Sequence, residues 1–164
     1  MRIFLLVLIA IGFLVGYMLF DKNKIDKPDI PTDKIITIEC NMTQILEDSI
    51  PLPHQINLPN GERLTLTKIN HINFEQTTAV ITYSAEFNKN TILFPIEISF
   101  YVNRNKNLKI AGIKLNLPEA LKVHENYIST KLENVLKLKD IDLPPNAVGL
   151  EKIQADKLIL RQSY

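Results

Sequence analysis

The chain has 164 residues, 46% of them hydrophobic and 23% charged, with a formal net charge of +1 at pH 7. So even a balance excludes the basic face that nucleic-acid binding needs, and no nucleic-acid partner is expected. The only cysteine, Cys40, excludes an intrachain disulfide framework.

Arg2 is followed by IFLLVLIAIGFLVGYMLF, residues 3–20, which carries no charge. As a helix this run would span about 27 Å, close to the roughly 30 Å of a bilayer's hydrocarbon core. A cleaved signal peptide has a shorter apolar region that ends in small residues, whereas this run ends in Tyr17-Met18-Leu19-Phe20. Residues 1–20 are therefore expected to be an uncleaved transmembrane signal anchor. Gly12 and Gly16, four apart on that helix, would let a second helix approach closely and suggest self-association. Lys22, Lys24 and Lys27 follow the span, but Asp21 and Asp26 dilute them, so the flanking charges give no orientation.

Residues 21–33 hold charges, Pro28 and Pro31 and almost nothing apolar, the composition of an extended linker. The domain, 34–164, opens with a short strand, KIITIE, at 34–39. CNMTQILEDSI (40–50) has helical spacing and is closed by Pro51 and Pro53. After a loop at Pro59-Asn60-Gly61, alternating apolar residues predict a meander of strands over 62–74, 78–87, 90–102 and 108–117. The third is the clearest, with Ile92, Phe94, Ile96, Ile98, Phe100 and Val102 all on one face. Phase slips after Leu66 and at Ala111-Gly112 predict bulges, with glycine-only backbone angles expected at Gly112. Long, bulged antiparallel strands curl.

From Pro118 to about Lys139 the spacing of Leu121, Ile128, Leu132, Val135 and Leu136 predicts one long helix. Glu119 at its start and Lys137 and Lys139 at its end suit the helix dipole. DLPPNAVG (142–149) reads as a turn-rich crossing and ADKLIL (155–160) as a last strand. The expected fold class is thus α+β: a long curved antiparallel sheet wrapped around one long C-terminal helix, preceded by the N-terminal transmembrane helix.

No catalytic constellation is legible. His124 has Ala120, Leu121, Tyr127 and Ile128 at helical spacing, where a base or metal ligand would want acidic, thiol or imidazole company. His54 and His71 have no partner nearby in the sequence, and there is no G-x-S-x-G elbow or glycine-rich phosphate loop. The protein is expected not to be an enzyme, with no cofactor and no metal.

ITIECNMTQILEDSI, the meander ending in LKIAGIKLNL, and the closing GLEKIQADKLIL follow an order that resembles the YceB-like family of bacterial envelope lipoproteins, a domain of unknown function with a fold similar to the tubular lipid-binding proteins. Family members are typically tethered by a lipidated cysteine; here the apolar helix takes that place. The resemblance implies an apolar groove between sheet and helix, bounded by Tyr83, Phe94, Ile98 and Phe100 on the sheet and Leu121, Ile128 and Leu132 on the helix. It also implies a single-pass protein of the inner (cytoplasmic) membrane with its C-terminal domain in the periplasm. The expected function is non-catalytic binding of a lipid or other apolar ligand in that groove. The alternative is a structural or assembly protein that docks an envelope partner and has no ligand cavity.

Overall fold

The computed structural model describes residues 34–163; the span over 3–20, the linker over 21–33 and the Gly12–Gly16 pair lie outside them. Among the described residues no helix is long and apolar enough to cross a membrane. Strands β4 (Thr78–Phe87) and β5 (Asn90–Val102) pair antiparallel across Asn88 and Lys89, whose φ angles are 49° and 66°. A two-residue turn with both φ positive matches the right-handed twist of the strands it joins. Ala79, Ile81, Tyr83, Ala85 and Phe87 are buried on one face, alongside Phe94, Ile96, Ile98 and Phe100. The period-two pattern therefore fixes which side of this hairpin leaves water.

Around this hairpin the sheet has the order β2-β3-β4-β5-β6, with β2 at His54–Asn57, β3 at Arg63–Glu75 and β6 at Leu108–Leu115. Both phase slips are irregularities of register. β3 shifts against β4 between Leu66 and Lys68 and again between Ile69 and His71. On β6, Gly112 opposes Ser99 and Ile110 opposes Phe100, which leaves Ala111 as the extra residue. Leu108, Ile110, Ile113 and Leu115 consequently oppose Val102, Phe100, Ile98 and Ile96 on a single face. Pro95 is tolerated inside β5 because the paired part of β6 stops at Leu115, opposite Ile96.

Gly112 corrects one expectation. Its φ is not in the left-handed region, which among the described glycines only Gly61 occupies, and an added Cβ would meet nothing within 4 Å. The bulge needs an extra residue, not a glycine. Gly112→Ala is therefore expected to change unfolding free energy by less than about 1 kcal/mol in a denaturant titration, since neither strain nor overlap opposes it. A loss of about 2 kcal/mol or more would mean that a glycine-only conformation is required after all.

A second, three-stranded sheet has the order β1-β8-β7, with β1 at Lys34–Glu39, β7 at Ala147–Ile153 and β8 at Lys157–Gln162. Its strand β7 lies across one end of the larger sheet. Lys106 Nζ, in the β5–β6 turn, donates to the Ala147 carbonyl at 2.7 Å, and the Ile153 N–H donates to the Gln76 carbonyl, in the β3–β4 turn, at 2.7 Å. The sequence pattern missed β7 because two register shifts interrupt its alternation. It missed β2 because that strand has only four residues and one buried side chain.

Helix α1 (Met42–Glu47) is shorter than the 40–50 expected. It is capped by Asn41 Oδ1, which accepts from the Gln44 N–H at 3.0 Å, and it buries Met42 and Leu46. The long C-terminal helix does not form, so the fold is mostly β rather than a sheet around one helix. In its place are α2 (Glu119–Lys122) and α3 (Glu125–Val135). At the break, the His124 N–H donates to Leu121 O, a three-residue bond, and Val123 is 83% exposed with no core to cover. At the other end, Leu136 turns extended (ψ 107°) and the Lys137 N–H donates to Ser49 O at 3.1 Å. The physical reason is in the residues themselves: Leu136-Lys137-Leu138-Lys139 alternates with period two, and partners outside the helix were available to its backbone.

The face of β5 therefore covers a shared core rather than one helix. Met42, Leu46, Ile50, Ile128, Leu132, Ile153, Leu158 and Leu160 join the sheet residues in one buried cluster. α3 lies between the two outer strands of the larger sheet: Tyr127, Lys131 and Val135 share a depression with β2, and Glu133 borders one with β6. The sheet curls far enough for one helix to reach both its edges. Residues 33–164 form a compact unit that contains the whole described core, so this stretch has what it needs to fold by itself.

Candidate functional site

All of the side chains expected to bound a channel are in the core. Tyr83, Phe94, Ile98, Leu121, Ile128 and Leu132 have 0% exposure and Phe100 has 4%. A side chain with no accessible surface has no water-sized space against it, either inside the protein or outside. All seven belong to one buried hydrophobic cluster. Tyr83 Oη is the one polar side-chain atom among them. It has no hydrogen-bond partner among the described residues, and burial pushes its phenol well above the usual tyrosine range.

Open space lies elsewhere, along the outer edge of β6. The segment 136–142 leaves α3 and runs antiparallel to this strand, meeting it at a bridge between Asn107 and Asp142. Next to the bridge, Lys109 Nζ and Asp140 Oδ1 are 3.2 Å apart. Beyond that pair the two stretches separate around a cleft of about 520 Å³. Its walls are Ala111, Gly112 and Ile113 on the strand, and Glu133, Leu136 and Leu138 opposite. Two local causes hold it open: the bulge at Ala111 bends β6, and the Lys137–Ser49 bond draws the facing segment towards the end of α1.

The cleft is closed at one end and open at the other. It is also chemically unfinished along its length. Among the described residues, Lys109 to Leu115 make no backbone hydrogen bond outside the ladder with β5, so the outward N–H and C=O groups of β6 have no backbone partner there. Leu138 separates this cleft from a second depression of about 530 Å³, lined in part by Asn41, Gln44, Ile45 and Asp48. The sequence did carry a signal for this site, the alternation at 136–139, but its helical reading of that stretch concealed it.

One polar pair on the outer face of the larger sheet has the look of a nucleophile and base. Thr82 Oγ1 lies 3.2 Å from His71 Nε2, and beside it Ser84 Oγ donates to Asn70 Oδ1 at 3.1 Å. This is the partner that His71 lacked in the sequence, supplied across strands. A working pair needs a third group to orient the imidazole and donors to stabilise developing charge. Among the described residues no carboxylate is bonded to the His71 ring. The contact gives the buried Thr82 hydroxyl a partner in the exposed His71 ring.

Compared with family models, with curated proteins and with solved structures, the chain matches none. The chemistry of the cleft is therefore the ground for a functional reading.

Proposed function

We propose that this protein is a non-catalytic docking module, tethered to a membrane by residues 3–20, whose 34–164 domain binds an envelope partner at the β6 cleft. One observation carries this reading: the apolar face expected to hold a ligand is filled by its own core, while the edge of β6 is unpaired among the described residues. The chemistry of the cleft favours a peptide over an acyl chain. A lipid tail would cover Ile113, Leu136 and Leu138, but it would also strip water from the free N–H and C=O groups of β6 and return no hydrogen bond. Each buried polar group left that way costs about 1–3 kcal/mol, comparable to the gain from burying an apolar side chain. A peptide backbone supplies both kinds of contact.

The two readings separate in one measurement. Native mass spectrometry of residues 33–164 purified from cells is expected to give the mass of the bare polypeptide. A lipid retained at one per chain would reinstate the apolar-ligand reading and remove this one.

A further inference from the structure

Resting on that reading, we infer that the β6 cleft takes the extended carboxy-terminal tail of a partner protein, added as an antiparallel strand with its terminal carboxylate beside Lys109. The mode follows from the free edge. An unpaired strand is completed only by another extended backbone, and every pairing in this sheet is antiparallel. β6 runs from Leu108, near the Asn107–Asp142 bridge, to Leu115 at the open end. A strand antiparallel to it enters at the open end and points its C-terminus at the bridge. There it has to stop, because residues 136–142 close onto β6 and leave no path through. From Lys109 to Ile113 there is room for about four or five extended residues at roughly 3.3 Å each.

The charges have the same polarity. The closed end carries the Lys109 ammonium and the open end the Glu133 carboxylate, which accepts from the Ser129 hydroxyl at a long 3.5 Å. A tail ending in a carboxylate, with a lysine or arginine four or five residues upstream, complements both. Asp140 is the competitor: it holds Lys109 at 3.2 Å, but its side chain is 78% exposed and such surface pairs are weak. The lysine is thus free to exchange one carboxylate for another. Between the ends, Ile113, Leu136 and Leu138 offer an apolar wall to alternate side chains of the incoming strand.

The test uses a library of random nine-residue peptides made both with free carboxyl termini and as terminal amides, bound to residues 33–164. Binders are expected from the free-acid set, to weaken at least tenfold on amidation and on Lys109→Gln, and to tighten severalfold on Asp140→Asn. Bound, they should slow hydrogen exchange at amides of Lys109 to Ile113. Peptides that protect those amides equally well as terminal amides would overturn the inference and leave the docking reading intact. Peptides that protect no β6 amide, or a library with no binder, would overturn both. Circular dichroism of the two variants checks that neither change at the exposed pair has altered the fold.

Discussion

Phe94→Ala is expected to cost about 3–5 kcal/mol of unfolding free energy, the usual range for emptying a fully buried aromatic site. Phe94 has no exposed surface and lies directly opposite Tyr83 on β4, in the middle of the larger sheet. Its neighbours are held by strand ladders on both sides and have little freedom to collapse into the void. For a domain of this size the loss corresponds to a fall of roughly 10–20 °C in Tm. The same substitution distinguishes a filled core from a channel wall. A ring fronting open space would lose only part of its contacts on truncation, so a cost below about 1.5 kcal/mol would put a cavity beside it. Ile98→Trp makes the converse point. Ile98 lies between Ala79 and Ile113 with no space beside it, so the larger ring overpacks the site and costs about 1–3 kcal/mol or more.

Tyr83→Phe should do the opposite and stabilise the domain by about 1 kcal/mol, because it removes a buried hydroxyl that has no partner and leaves the ring in place. The larger effect is on pH dependence. Burial raises the folded-state pKa of this phenol above its ordinary value of 10.0. Above about pH 10 the unfolded chain releases the proton while the folded chain keeps it, so the native state binds more protons. Stability contributed by the neutral phenol is therefore complete below pH 10 and falls as pH rises, by up to about 1.4 kcal/mol per pH unit. Other tyrosines and lysines titrate in the same window, so the measurement is the difference between the two proteins. Denaturant titrations at pH 8 and pH 11 should show the advantage of Tyr83→Phe widening by about 1 kcal/mol or more. An advantage that stays constant would mean that the hydroxyl reaches water or a partner in solution.

Sequence by itself determined the strands of the meander, their inward faces and the places where they bend. Period two admits a single solution when one face is buried: a slip of one residue would expose Phe94, Ile96 and Ile98 together, so pattern, register and face are set at once. The bulges were legible for the same reason, since an extra residue at Ala111 reverses the parity of everything after it. That the larger sheet would be capped by β7 and edged by β2 was not legible. Each pairs with the strand that follows it in the chain, but their own stretches are too short or too irregular to carry a period.

Residues 118–139 were decided by the tertiary structure. Leu121, Ile128, Leu132 and Leu136 fit one helical stripe, and the first three are buried by helices as that stripe requires. Whether the helix continues past Val135 depends on which backbone partners are in reach. Ser49 and Asn107 are 88 and 35 residues away in sequence from Lys137 and Asp142, the groups that meet them. That competition is invisible to any local window, yet it leaves 136–142 extended beside β6 and opens the cleft. The core residues that sequence offered as a binding site are filled by packing that only the assembled sheets and helices supply. The candidate site belongs instead to an edge, where unpaired backbone is a property of topology and no side-chain pattern records it.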